Sequence, residues 1–214
     1  MFGAIVFDLD GTLIASHDLI ASTVNSVLVS RGHPVVDAGA VHALTGLPLE
    51  EIFRAVLPAA EHESALRCVD EYRRIFDRDV LPALEPIPGT RQMLATVVPL
   101  APLAVATGRL TSTARLMLAR SGLDGYFGVV LGADAAIRPK PYPDLLLEVL
   151  FRLGRIAPAS VLVVGDSAAD VAMARAAGAR VCAVTWGAQT REALLETGPD
   201  WCVDCWEQLT ALLG

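Results

Sequence analysis

Two aspartates that lie two residues apart, Asp8 and Asp10, are the side chains best placed to do chemistry. They follow the apolar run 4–7, which is typical of a buried strand. Alternate side chains of an extended chain share a face, so the two carboxylates should converge just beyond the strand. Two carboxylates at such a short distance repel each other unless a cation or a shared proton compensates their charge. Mg²⁺, which prefers oxygen ligands, is the expected cation, and Gly11 allows the chain to turn sharply after them.

Two other interpretations of this segment were considered. A calcium-binding loop that starts at Asp8 would need an oxygen acceptor, a glycine and a glutamate where the chain has Thr12, Leu13 and Leu19. Those residues exclude it. A strand that ends in two solvated aspartates remains an alternative while the segment is taken alone.

The composition limits the classes of partner. The chain has 214 residues, of which 53% are hydrophobic, enough for one large domain or a domain with an insertion. Its net charge of −7 argues against nucleic acid and anionic membranes as partners. No apolar stretch is long enough to span a bilayer, and no cleavable leader precedes the first strand, so we expect a cytoplasmic protein. The sequence does not define an oligomeric state.

The cysteines give little support for a metal centre. Cys202 and Cys205 have the spacing of a zinc ligand pair, but a structural zinc site needs two further ligands, and no second such pair or paired histidine exists. We expect these cysteines to be ordinary small residues around a final strand. A dinucleotide-binding glycine fingerprint is also absent.

The hydrophobic pattern predicts an α/β fold with an inserted helical unit. From about residue 16 to residue 79 the periodicity is helical, and Pro82, Pro86 and Pro88 then mark a return linker. Afterwards helices alternate with continuous apolar strands, which indicates a parallel sheet covered by helices on both faces. We therefore expect a Rossmann-like core of residues 1–14 and 87–214 with an all-helical cap of residues 15–86. The later strands are predicted at 103–106, 128–131, 161–164 and 181–185.

Polar residues follow the successive strands of this predicted sheet, at the edge where such sheets bind ligands. The strand 103–106 is followed by the Thr107 hydroxyl and by Gly108, whose amide can bind an anion at a helix start. The strand 161–164 leads to Asp166, which can complete a metal shell. Asp170, one helical turn later, is expected to orient metal-bound water. The combination predicts a metal site beside a phosphate cradle.

Lys140 is the one lysine of the chain, against sixteen arginines. It follows the third predicted strand. A lysine in that background suggests a position that needs a compact ammonium rather than a planar guanidinium. We expect Lys140 to neutralise phosphate charge and to balance the carboxylates.

The four motifs resemble those of the haloacid dehalogenase-like superfamily, specifically its phosphatases with a helical cap. They are DxDGT at 8–12, Thr107, Lys140 within KPYPD, and GDSxxD at 165–170, in the family's order across essentially the whole chain. The segments 45–50 and 184–187 are similar to those of phosphoglycolate phosphatase-like members. The dehalogenases proper lack the second aspartate, so Asp10 favours phosphate chemistry. Many of these phosphatases have a further Asp-Ser after DGTL, where this chain has Ala15 and Ser16.

The resemblance implies a Mg²⁺-dependent phosphatase that acts on a small phosphorylated metabolite. Asp8 would be the nucleophile and form an aspartyl-phosphate, and Asp10 would be the general acid and base. The chain's four histidines all lie in the helical segment, which leaves the core without a histidine for that role. The implied catalytic residues are Asp8, Asp10, Thr107 and Lys140. The implied substrate-binding residues are Thr12, Thr107, Gly108 and Lys140, and the implied metal site comprises Asp8, Asp10 through its main-chain carbonyl, Asp166 and Asp170.

Alternative functions remain open from the sequence. A phosphomutase of the same family would return the phosphoryl group to a sugar, and a pyrophosphatase would use the same residues. A signalling receiver domain also uses Asp, Thr and Lys around Mg²⁺, but the order of the motifs here disfavours it. Arg109, Arg138 and His17 flank the predicted site, and we expect all three to be solvated.

Overall fold

A computed structural model describes residues 2–214. Its centre is a six-stranded, all-parallel sheet in the order β3-β2-β1-β4-β5-β6, with β1 in the middle. The α/β fold predicted from the sequence is therefore confirmed. The strands are β1 (Ala4–Phe7), β2 (Leu103–Ala106), β3 (Val129–Leu131), β4 (Val161–Gly165), β5 (Arg180–Val184) and β6 (Trp201–Val203).

Helices fill the connections between these strands. Those after residue 89 are α5 (Thr90–Val97), α6 (Thr111–Arg120), α7 (Asp144–Arg152), α8 (Ala168–Ala177), α9 (Arg191–Glu196) and α10 (Trp206–Leu213). The sequence analysis did not anticipate α9 and α10, because helices of six and eight residues carry too few turns for a clear hydrophobic period.

The connection from β1 to β2 contains a helical block, by which we mean the helical elements from His17 to Ala83. They are α1 (His17–Ser30), α2 (Ala38–Leu44), α3 (Leu49–Val56) and α4 (Ala65–Ile75), with shorter helical turns before and after α4. The pattern predicted one helix from about residue 61 to 80. The structure divides this segment into a 3₁₀ turn, α4 and a π turn at Phe76–Val80.

The two faces of the sheet have separate cores because side chains alternate along each strand. Ile5 and Phe7 of β1 pack in a cluster that continues into the helical block. Ala4 and Val6 pack in a second cluster, on the opposite face, with α7 and α8. The sheet and the helical block thus share one continuous apolar core on one face.

The two chain segments that join the helical block to the sheet run side by side. The amide of Ala15 donates to the carbonyl of Glu85 at 3.0 Å, and the amide of Ile87 donates to the carbonyl of Leu13 at 2.9 Å. The outgoing and returning segments are therefore tied to each other by backbone hydrogen bonds.

A pair of tryptophans fixes these joining segments to the rest of the protein. The indole of Trp186 donates to the carbonyl of Thr12, and the indole of Trp206 donates to the carbonyl of Pro88, both at 3.1 Å. The two rings lie 4.4 Å apart, centroid to centroid. Each joining segment is thus held by one member of a contacting aromatic pair.

All four cysteines are free thiols; Cys202 lies in β6 and Cys205 directly precedes α10, as expected of residues around a final strand. Within residues 2–214, no helix is both long and apolar enough to cross a membrane. The cytoplasmic location stays a prediction.

Candidate active site

The structure brings the predicted site residues to one edge of the sheet. Asp8, Thr107 and Asp166 directly follow β1, β2 and β4, three adjacent parallel strands whose carboxyl ends share that edge. A cavity of 370 Å³ lies between this edge and the helical block. Asp8, Asp10 and Thr107 line it from the core side.

Three buried carboxylates, those of Asp8, Asp166 and Asp170, form a cluster in which the oxygens lie within 4.8 Å of one another. Burial raises the pKa of Asp8 well above its ordinary value, although the positive charge of Lys140 acts to lower it. Burial and the neighbouring Asp170 raise the pKa of Asp166 to about 7. Both shifts mean that burial, helped by the neighbouring carboxylates, disfavours the charged forms of Asp8 and Asp166 in the metal-free protein.

Lys140 is the cation of this cluster. Its side chain is fully buried, and Nζ lies 2.9 Å from Oδ1 of Asp8 and 2.5 Å from Oδ1 of Asp170. Although burial lowers the pKa of Lys140, these two carboxylates raise it above its ordinary value, so the amine stays protonated. One ammonium therefore serves two carboxylates, as expected from the sequence.

The second oxygen of Asp170 is used locally, at the start of α8. Oδ2 of Asp170 accepts from the hydroxyl of Ser167 at 2.6 Å and from its amide at 3.2 Å. The amide of Asp170 donates in turn to the hydroxyl oxygen of Ser167, which completes a capping box. A Cβ at position 165 would collide with the Asp170 carboxyl, so only glycine fits there. The local sequence thus fixes Asp170 toward Lys140.

Asp166 is held by two donors. Its Oδ1 accepts from the hydroxyl of Thr12 and its Oδ2 from the amide of Ala188, both at 2.7 Å. Thr12 is fully buried and its hydroxyl is directed at Asp166 rather than at the cavity. A Cβ at Gly11, where φ is +75°, or at Gly187 would collide with the Asp166 carboxyl.

This donor set fits Mg²⁺. Carboxylate oxygens are the ligands that Mg²⁺ prefers, and one lysine leaves the three-carboxylate cluster with excess negative charge. The side chain of Asp10 is not part of this cluster.

Asp10 has its own cation, Arg109. Nε and Nη2 of Arg109 donate to the two oxygens of Asp10 at 2.6 and 2.8 Å, and the hydroxyl of Ser16 donates to Oδ1 at 2.5 Å. The guanidinium lies 3.8 Å from the ring centroid of Phe76, at the end of the helical block. Burial lowers the pKa of Arg109, but Asp10 and Tyr72 raise it above its ordinary value.

The prediction that Arg109 is solvated is wrong, because its side chain is only 11% exposed. The prediction holds for Arg138, which is 56% exposed and pairs with Asp144. His17 starts α1 but is half-buried, with its ring 5.5 Å from that of His42. The sequence signal that could have found Arg109 is its place two residues after Thr107, at a strand end.

Thr107 and Gly108, the residues predicted to bind phosphate, line the cavity. The Thr107 hydroxyl accepts from the amide of Arg109 at 3.3 Å. A Cβ at Gly108 would come within 3.2 Å of the carbonyl of Gly46, in the loop between α2 and α3. The helical block therefore sits directly over the predicted phosphate cradle.

Fold and site together define a class: an α/β enzyme with a buried acidic centre at the carboxyl edge of a parallel sheet. The chain belongs to the family described as haloacid dehalogenase-like hydrolase, which it matches over residues 5–184. The prediction of a phosphoric monoester hydrolase of this superfamily is confirmed by the relatives described next.

Relatives of this chain are named as phosphatases, and two are described here. A probable phosphatase, IndB, from Dickeya dadantii is 36% identical over 96% of this chain and 90% of its own length. A phosphoglycolate phosphatase from Pectobacterium atrosepticum is 32% identical, with 98% and 92% covered. Among solved structures, a haloacid dehalogenase-like hydrolase from Streptococcus pneumoniae superposes with a TM-score of 0.88 at 26% identity, covering 100% of this chain and 99% of that one.

Proposed function

We propose that this protein is a Mg²⁺-dependent phosphatase that hydrolyses a small phosphate monoester through a phosphorylated Asp8. The observation that carries the proposal is the position of Asp8, which lines the cavity beside Thr107 while its carboxylate contacts Lys140. The named relatives supply phosphoglycolate as the first substrate to test.

Asp8 is the attacking group in this proposal. One of its oxygens forms a bond to phosphorus as the bond from phosphorus to the leaving oxygen breaks. Lys140, the Thr107 hydroxyl and the Gly108 amide hold the non-bridging oxygens, where electrostatic stabilisation contributes most. Lys140 also offsets the charge of Asp8, which allows an anionic phosphate to approach a carboxylate.

Asp10 moves the protons. Asp10 enters the first step protonated and gives that proton to the leaving oxygen; the resulting carboxylate then takes a proton from the water that attacks phosphorus and releases Asp8. Arg109 and Ser16 fix the Asp10 carboxylate from two directions, which sets its position relative to Asp8. Thr12 orients Asp166 in the same way.

The proposed metal ligands are Asp8, Asp166 and the main-chain carbonyl of Asp10, with Asp170 acting through water. Bound there, Mg²⁺ would neutralise charge on the carboxylates and the phosphate. We propose also that residues 15–86 are a cap domain, since the loop at Gly46 lies over Gly108 and encloses the cavity.

The test compares the wild type with Asp8→Asn, and uses Asp124→Asn, an exposed aspartate on the core surface, as the matched control. Phosphate release from phosphate monoesters should require Mg²⁺, vanish in Asp8→Asn and persist in Asp124→Asn. Acid-quenched wild type should carry phosphate on the peptide that contains Asp8. Transfer of the phosphoryl group to a sugar rather than to water would indicate a mutase instead. Mg²⁺-dependent turnover by purified Asp8→Asn would overturn the mechanism.

A further inference from the structure

The cavity has two chemically different sides. Toward the sheet it is lined by the carboxylates and hydroxyl described above, but toward the helical block its walls are mainly apolar. The residues on that side include Ile20, Leu47, Ile52, Val69, Tyr72 and Phe76. A phosphate held at Asp8 would therefore direct its leaving group into an apolar space.

Positive charge on the cavity walls comes from Arg73 and Arg109. Arg109 already binds Asp10 through two hydrogen bonds. Arg73 is exposed and its nearest carboxylate is Asp70, at 4.0 Å. Asp70 and Asp77 line the same side, so an anionic leaving group would meet further carboxylates, and the buried cation among the described lining residues, Arg109, is already paired.

One polar atom on the apolar side is unsatisfied. The hydroxyl of Tyr72 is buried, and none of its contacts within the described residues has the geometry of a hydrogen bond, although the Arg109 guanidinium lies close enough to lower its pKa. Burial raises the pKa of Tyr72 to about 12, so the hydroxyl remains a donor at neutral pH. An unpaired buried hydroxyl is costly, and a ligand atom that accepts from it would remove that cost.

We infer that the cavity selects phosphate monoesters whose leaving group is uncharged and largely apolar, such as one that carries an aromatic ring, over small anionic esters such as phosphoglycolate. The inference rests on the proposed function, because it assigns the leaving-group side of the same site. Binding cavities of about 300–1,000 Å³ with apolar walls and a few polar groups are typical of sites for such ligands. Burial of apolar surface favours the ester with the apolar leaving group, and removal of the leaving group's carboxylate from water without a partner disfavours phosphoglycolate.

The experiment uses three alkyl phosphates, so that leaving-group reactivity is similar: 2-phenylethyl phosphate, ethyl phosphate and 2-phosphoglycolate. With Mg²⁺ present, the wild type should show a kcat/KM at least tenfold higher for 2-phenylethyl phosphate than for either of the others. A kcat/KM for phosphoglycolate that equals or exceeds that for 2-phenylethyl phosphate would overturn the inference.

A substitution that adds a positive charge to the cavity wall tests the same inference. Leu66 lines the cavity and is 59% exposed, so Leu66→Arg should fold normally. This variant should reduce the preference for 2-phenylethyl phosphate over phosphoglycolate at least fivefold, mainly through KM. Leu147→Arg, an equally drastic change at an exposed leucine of α7 away from the cavity, is the matched control. An unchanged preference in Leu66→Arg would count against the inference.

A binding measurement separates this inference from the proposed function. Calorimetry with Asp8→Asn and Mg²⁺ should give tighter binding of 2-phenylethyl phosphate than of phosphoglycolate. If that order holds while the wild type hydrolyses neither ester, the proposed hydrolysis fails and the cavity assignment stands. If phosphoglycolate binds equally or more tightly, the cavity assignment fails even though hydrolysis is observed.

Discussion

The two aspartates of the first motif are neutralised in different ways. Asp8 shares the ammonium of Lys140 with Asp170, in a fully buried cluster of three carboxylates. Asp10 alone receives the planar guanidinium of Arg109, through two parallel hydrogen bonds. An ammonium can direct its donors to several acceptors, whereas a guanidinium fits one carboxylate bidentately. We conclude that Lys140 shares its charge between Asp8 and Asp170, whereas Arg109 orients Asp10.

Apart from Asp8→Asn, the variant that should lower activity most is Asp10→Asn. Loss of a general acid and base costs about 10²–10⁴ in rate. We expect kcat to fall by that factor while the KM stays within about threefold, because asparagine has nearly the same shape and its one amide oxygen can still accept from Arg109. Steady-state phosphate release measures it. A fall of less than tenfold would move the proton transfer to another group.

Lys140→Arg keeps the positive charge but should prevent it from being shared between Asp8 and Asp170. The lysine has no exposed side-chain surface, so the bulkier guanidinium must displace its neighbours and would favour one carboxylate. We expect activity to fall by about a hundredfold, which corresponds to the free energy of one or two charged hydrogen bonds. The fall should be nearly as large as in Lys140→Met. Circular dichroism checks the fold. An Arg variant with more than about a third of the wild-type rate would make Lys140 a simple counter-charge.

Arg109→Lys is the reverse substitution, made at the residue that orients Asp10. The ammonium cannot reproduce the bidentate pair, and it loses the stacking on Phe76, so we expect kcat to fall about tenfold. Arg138→Lys is the matched control, since Arg138 also binds one carboxylate bidentately and lies over an aromatic ring, but at the surface. It should change kcat and stability little, because exposed pairs contribute at most about 1 kcal/mol. Equal effects in the two variants would refute the orienting role.

The smallest effect concerns the stability of the metal-free protein. The pKa of Asp166 is raised to about 7 in the folded state, so the folded state binds more protons than the unfolded state between the ordinary carboxyl pKa and pH 7. Stability contributed by this group therefore falls as the pH rises through that window.

Mg²⁺ should act in the opposite sense, because it competes with those protons. At saturating Mg²⁺ we expect Tm to rise by about 5 °C at pH 7.5 and by less at pH 5.5. Thermal unfolding with and without EDTA measures this difference, and Asp166→Asn should diminish the response at pH 7.5. A larger rise at pH 5.5 than at pH 7.5 would contradict the assignment of the cluster as the metal site.

The sequence predicted the sheet, the helical insertion and the location of the motif residues, because apolar runs followed by polar residues depend on local chain properties. It did not predict the surroundings of Arg109, which is covered by Phe76 from a segment more than thirty residues earlier in the chain. Likewise the pairing of the Thr12 hydroxyl with Asp166 joins residues 154 positions apart, and no local pattern records such a contact. The π turn at Phe76–Val80 is likewise not indicated by the helical periodicity of the sequence.

The hydrogen-bonded joining segments have a consequence for how the substrate range of such a chain can change. Because the amide of Ala15 meets the carbonyl of Glu85, the helical block leaves and re-enters the core at almost one point. A different insertion could be grafted between those two positions without displacing a strand of the sheet. The apolar walls of the cavity come mainly from the helical block, whereas Lys140 and its carboxylates come from the rest of the fold. Under the proposed assignment, the leaving group could therefore change through the helical block, provided that an aromatic ring still covers Arg109 as Phe76 does.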